Sequence, residues 1–192
     1  MPLAVNTLDG SGHWLKYGVV GEYPVGASQT IKRGDFLCLT AGFAMQFVTA
    51  ATTSTLTTNN SSTKVLGVAL GDLTTGATTS NDNKIEVAVA DDEFRVALRL
   101  YHATSTTARF ATADTNMTNV PTGANLTLER WTDANGSSYY VASCTSTSQA
   151  TTATSLNTGT LYYHSRCLES AITDRYGFGW FGVPISTRAL GS

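Results

Sequence analysis

The stretch Ile31–Val48, reading IKRGDFLCLTAGFAMQFV, decides the fold class of this chain. Phe36-Leu37-Cys38-Leu39 is a short apolar run, and Phe43, Met45 and Phe47 alternate with Ala44, Gln46 and Val48. Alternation with a period of two is the mark of a strand. Between the runs, Thr40-Ala41-Gly42 supplies a tight break whose glycine accepts a positive φ. The combination predicts a β-hairpin buried on at least one face. Nothing in it looks catalytic.

Further strands follow on both sides. Val65-Leu66-Gly67-Val68-Ala69-Leu70 reads as a buried strand whose glycine lets another backbone come close. Ile85, Val87 and Val89 alternate with Glu86 and Ala88, and Phe94, Val96, Leu98 and Leu100 alternate with Arg95, Ala97 and Arg99. With Ala90-Asp91-Asp92-Glu93 as a turn, these two runs predict a second hairpin. Leu126–Trp131 and Tyr139-Tyr140-Val141 flank Asn135-Gly136, a strong turn signal for a third. Leu161–Asp174 suits a strand or a helical face equally. Phe178–Pro184 makes a closing aromatic strand ended by its proline. Residues 49–63, 101–121 and 144–160 are long Thr/Ser-rich loops.

Residues 1–24 read as an extended arm. Gly10, Gly12, Gly18 and Gly21 interrupt each apolar run, yet Trp14, Tyr17, Val19, Val20 and Tyr23 are too apolar for a free tail. A segment of this kind orders against a partner or closes its own core. The expected organisation is an arm over 1–24, a first β-unit over 25–100 and a second unit or insertion over 101–192. Gly26-Ala27, Thr30, Ile31 and Arg33 recur as Gly123-Ala124, Thr127, Leu128 and Arg130. That is either an internal repeat of one β-unit or a chance likeness of two hairpins.

The 192 residues are enough to bury roughly 70% of the unfolded surface without disulfide or metal. Charged residues make up 14% of the chain, against about 25% in ordinary soluble domains. Serine and threonine, roughly a quarter of the residues, fill the gap. A polar but weakly charged surface fits either a protein packed against others or a solvated surface built from hydroxyls. With a net charge of −2 and no Lys/Arg cluster, no nucleic-acid partner is expected. No 18-residue apolar window exists, so no membrane-spanning helix is expected. Met1-Pro2-Leu3-Ala4-Val5-Asn6 has no basic start, and synthesis in a cytoplasm is the expectation. Cys38 reads as a small buried hydrophobe, and a Cys144–Cys167 disulfide is disfavoured in that compartment.

No catalytic, metal or cofactor site is expected. His13, His102 and His164 show no ligand spacing, and Asp91-Asp92-Glu93 lacks the glycine and spaced ligands of a calcium loop. There is no GxSxG, no P-loop and no dinucleotide fingerprint. Arg33-Gly34-Asp35 spells an adhesion tripeptide, but Gly-Asp at a strand entrance is ordinary turn chemistry.

Taken together, Ile31–Leu39, Gly42-Phe43-Ala44, Val65–Asp72 and Ile85–Val89 resemble the capsid cement, or head decoration, proteins of tailed bacteriophages. The resemblance covers about the 70 residues of the first unit, and residues 101–192 depart from it as an inserted or duplicated unit would. It implies an all-β protein with a small β-barrel or β-tulip-like core. It also implies attachment to the outside of a viral head, with the major capsid protein as partner and a homo-oligomer, a trimer foremost. On that reading Trp14, Tyr17, Val19, Val20 and Tyr23 form the capsid-facing arm. The rival expectation is a carbohydrate-binding or adhesin module of a tail fibre, with exposed Trp131, Tyr139, Tyr140 or Trp180 as a sugar platform.

Overall fold

The computed structural model describes residues 3–5, 13–47, 56–58, 64–104, 107–110, 122–123, 125–132, 138–144, 161–166 and 178–190. The described chain is all-β, as expected. Its first strands are β1 (Leu3–Val5), β2 (His13–Lys16), β3 (Val20–Pro24), β4 (Thr30–Ile31), β5 (Phe36–Thr40) and β6 (Phe43–Gln46). Then come β7 (Leu56–Thr58), β8 (Val65–Ala69), β9 (Leu73–Thr74) and β10 (Lys84–Val89). The later strands are β11 (Arg95–Thr104), β12 (Thr107–Phe110), β13 (Asn125–Thr132), β14 (Ser138–Cys144), β15 (Leu161–Arg166) and β16 (Phe178–Gly182).

Two compact units divide these strands. The first comprises Met1–Ala50, Asn59–Phe94 and Val183–Ser192, and the second Ala51–Thr58 and Arg95–Gly182. The second is thus inserted into the first. Its entry and exit strands are neighbours, since β11 pairs antiparallel with β16 through Val96↔Phe181.

In the first unit the strand order is β3-β10-β8-β5-β6. The hairpin of residues 31–48 is β5–β6, with Thr40↔Phe43 as its last pair. Ala41 and Gly42 both take positive φ, 49° and 86°, the two-residue turn whose twist matches a hairpin. Ile31 lies outside this hairpin and pairs with Leu73 in the β4–β9 ribbon. Alanine is a poor left-handed residue. Ala41→Asn is therefore expected to raise stability by about 0.5–1 kcal/mol. An unchanged urea midpoint would count against this turn geometry.

β8 is buried along its whole length. At Gly67 a Cβ would overlap the Ala88 carbonyl, so the expected close approach is present. Val25, Ile31, Leu37, Leu66, Ile85 and Val87 form the core, and Tyr23, Leu39 and Leu73 pack onto it. Cys38 is buried as well, its Sγ near the Met45 carbonyl, and that burial pushes its thiol pKa up.

The expected pairing of Ile85–Val89 with Phe94–Leu100 is corrected. Both segments are strands, but β10 pairs with β3 and β8, and β11 pairs with β12, β14 and β16. The residues between them form a side-chain turn, in which Asp91 Oδ1 accepts the Glu93 and Phe94 amides at 2.9 and 2.8 Å. Both edges of β10 are already occupied when the chain reaches that turn.

In the second unit the pairings run β11-β14-β13-β15-β16 and return to β11, a ring of five strands. The Asn-Gly segment does connect paired strands, with Thr132↔Ser138 the last pair. The turn residues themselves lie outside the described set. The ambiguous Leu161 segment is strand as far as Arg166.

The two units share strand order and register. β3, β5, β6, β8 and β10 correspond to β11, β13, β14, β15 and β16. Val87 opposes Gly21 and Ala69, and its counterpart Phe181 opposes Val96 and Tyr163. Leu39↔Ala44 matches Leu128↔Ala142, and Phe36↔Val68 matches Asn125↔Tyr162. The parallel contacts that close the two rings also match, Val25↔Ala44 with Leu100↔Ala142. Gly34 and Gly123 both take positive φ, and their amides donate to Ala69 and Tyr163 at 2.8 and 2.7 Å. The repeat is therefore real as structure, with Gly34 rather than Gly26 corresponding to Gly123. The shared pattern is Gly-x-x-Leu-x-Leu, and its first leucines, Leu37 and Leu126, are both fully buried.

Candidate partner-binding edge

Strand β3 ties the end of the expected arm into the first unit. Residues 20–24 pair with β10 along Val20↔Ala88 to Pro24↔Lys84. Val25 donates its amide to the Asn83 carbonyl at 2.7 Å, and the Val19 carbonyl accepts from Val89 at 2.9 Å. Backbone groups alternate in direction along a strand. Residues 19, 21, 23 and 25 thus direct theirs to β10, and Val20 and Glu22 direct theirs outward. Among the described residues no strand pairs with that outer side before Val25. Pro24 adds no donor there.

The five expected contact residues fall into different settings. Val19 is 51% and Val20 47% exposed, high for valine. Tyr23 is half-buried and packs on the core, its ring covering the place where a Gly21 side chain would stand. Tyr17 is half-buried. Trp14 lies in β2 opposite Ala4, and its side chain is outside the described set.

A second pair of exposed aliphatics, Ile185 and Leu190, lies on the C-terminal segment, which belongs to the first unit. Ala189 donates its amide to the Val65 carbonyl at 2.8 Å, and Ala90 donates to Leu66 at 2.9 Å. Val65 begins β8, Val89 ends β10, and Val19 precedes β3. Val19, Val20 and Leu190 therefore lie toward one end of this sheet, and Ile185 lies on the same segment as Leu190. Arg188 fastens the segment there. Its Nε donates to the Val183 carbonyl at 2.9 Å and its Nη1 to Asp92 at 2.7 Å.

Carboxylates surround the start of β3. A Cβ on Gly18 would stand 2.6 Å from a Glu93 carboxylate oxygen and 3.1 Å from one of Asp91. Glu22 meets Lys84 of β10 at 3.4 Å. Among the described residues no group of three His, Cys, Asp or Glu side chains is placed to hold a metal ion. The arrangement offers hydrogen bonds, apolar contact and negative charge to a partner.

The other singled-out residues resolve as follows. In Arg33-Gly34-Asp35 the aspartate is fully buried, its Oδ2 accepting the Lys32 amide at 2.9 Å and Gln46 Nε2 at 2.7 Å. That is incompatible with display to a receptor. The Arg33 amide donates to Asp72 at 2.7 Å and, with Lys32 beside it, holds the Asp72 carboxyl below the usual range. Of the proposed sugar platform, Tyr140 and Trp180 are buried and are corrected on that ground. The side chains of Trp131 and Tyr139 lie outside the described set, as does Cys167.

No family model, curated protein or solved structure matches this chain.

The open edge of β3 was the feature hardest to see in the sequence. Glycines at 18 and 21 made the segment look unstructured, and the strand is legible only through Val20↔Ala88 and Tyr23↔Ile85 across the sheet.

Proposed function

We propose that this chain is a structural protein of a tailed-bacteriophage virion. It decorates the outer surface of the head, is made in the host cytoplasm and acts as a homo-oligomer, a trimer foremost. It bridges neighbouring major capsid protein subunits and opposes the pressure of packaged DNA. The observation that carries this reading is the aliphatic end of the first unit, with Val19, Val20 and Leu190 exposed there and Ile185 on the same segment as Leu190, on a weakly charged protein. Apolar groups gathered in this way mark a contact surface. The strands that carry the family resemblance, β5, β8 and β10, lie side by side in one sheet and act as its scaffold. Many copies, each with a modest interface, add up through multivalency.

The test uses expanded heads stripped of decoration, mixed with the full chain and sedimented. The protein is expected to pellet with heads. A Val19→Asp/Val20→Asp variant with an unchanged circular-dichroism spectrum is expected to bind at least about tenfold more weakly, since two apolar contacts are lost. Heads that retain no wild-type protein, or a variant that binds equally well, would overturn the assignment. Glycan-array binding lost on Trp131→Ala would instead establish the carbohydrate-binding role.

A further inference from the structure

The two related units differ at the strand that opens each of them. In the second unit β11 continues past its closing contact, and Arg99–His102 pair with Val141–Cys144 of β14. In the first unit the corresponding strand stops at Pro24, and the ring is closed there by the single bridge Val25↔Ala44. The chain then turns away through Ser28, which has φ 56°. Gln46, the counterpart of Cys144, gives its amide to the Gln29 side chain at 3.0 Å where Cys144 lies opposite His102. A side chain has replaced the strand beyond Pro24, and before Val25 the outer side of β3 has no partner strand among the described residues.

We propose that the outer edge of β3, at Val20–Glu22, receives an extended strand from a partner protein whose side chains alternate between apolar and basic. The backbone groups of Val20 and Glu22 point outward at strand spacing and lack a partner strand among the described residues. A strand laid beside them completes the ladder, the recognition mode of β-augmentation. The side chains around the edge set the sequence it takes. Val19 and Val20 offer apolar contact, and Glu22, Asp91 and Glu93 place carboxylates beside it. Lys84 meets Glu22 and Arg188 meets Asp92, and Lys16 and Arg95 flank the region in the chain; against these four cations stand the five carboxylates of Glu22, Glu86 opposite it, Asp91, Asp92 and Glu93, an excess of one negative charge. A lysine- or arginine-bearing strand is attracted, and an acidic one is repelled. Edges are also guarded by charge against self-pairing. This inference stands on the edge alone and holds for a capsid protein or any other partner of that chemistry.

The probe is the peptide acetyl-Val-Lys-Val-Lys-Val-Lys-amide, with its Val-Glu counterpart as control. Each is titrated into the ¹⁵N-labelled full chain and followed by amide chemical shifts. The lysine peptide is expected to move the outward amides of Val20 and Glu22 most and the inward amides of Gly21 and Tyr23 less. The glutamate peptide is expected to move none of them. Val20→Pro removes an outward N–H that no described strand pairs with and should abolish the response, whereas Val20→Thr should keep it. If Val20→Pro fails to fold, Glu22→Lys serves, with an expected loss of about tenfold in affinity for the lysine peptide. Silence toward both peptides would reduce the charged edge to a guard and overturn the proposal. So would equal response to both, or shifts at Val20 and Glu22 that follow protein concentration without peptide, which would mean self-pairing.

Discussion

Gly67→Ala is expected to lower the stability of the first unit by about 3–5 kcal/mol, a large share of what holds a domain of this size together. The added methyl would overlap the Ala88 carbonyl and stand 2.8 Å from Val87 Cγ1. Neither can retreat cheaply. Ala88 is held between Val20 and Val68, and Val87 between Gly21 and Ala69. β8 and β10 must separate, and the ladder through the middle of the sheet goes with them. Amide exchange in the full chain is the measurement. Residues 65–69 and 84–89 should lose protection strongly, while 126–128 and 179–182 keep theirs. Protection unchanged in β8 would show that the strands lie further apart than described here.

The second large effect is expected at Asp35. Its carboxylate accepts from the Lys32 amide and the Gln46 side chain, and its own backbone joins the Ala69 amide and the Lys32 carbonyl. Asp35→Ala removes an acceptor from two donors in a buried place, a cost of about 2–4 kcal/mol. Asp35→Asn keeps an acceptor oxygen and should recover more than half of that. Urea midpoints of the three proteins decide it. A change below about 0.5 kcal/mol for the alanine variant would mean that water takes over the role. The Gln46 contact also ties the turn before β5 to β6, so the loss should be felt across the hairpin.

These two residues show what a sequence can and cannot reveal. Gly67 was legible because a glycine inside an apolar run has few reasons to be there other than a close backbone. Asp35 was legible only as part of a turn, because burial of a carboxylate depends on Gln46 coming from another strand. The hairpin β5–β6 and the buried β8 carry their periods within a few residues. β10 and β11 carry theirs equally well, but their pairing was misread. Short range favoured a hairpin across Asp91–Glu93, whereas the partners of β10 come from residues 20–24 and 65–69.

The relation between the two units was half visible for a similar reason. Identical residues drew the comparison to Gly26 and Gly123, while the backbone matches Gly34 to Gly123. What the units share is a burial pattern and a register, and their loops differ in length. A single constant offset along the chain cannot find such a likeness. Of the candidate site, Val19 and Val20 were picked out for being apolar among glycines. The open edge beside them depends on where β6 begins, one residue before its Val25↔Ala44 bridge, which no local pattern records.

The pairing of Val96 with Phe181 sets the terms on which the second unit sits in the chain. The long inserted run Arg95–Gly182 enters and leaves on adjacent strands, and the short run Ala51–Thr58 joins the same unit by pairing with β13. A recombination event that adds or removes the codons of the long run leaves the flanking reading frame with nearly the same gap to span. The inserted block can then diverge in its loops without disturbing the strands that preceded it. A gene built in this way can lengthen its product while keeping the strand order β3-β10-β8-β5-β6.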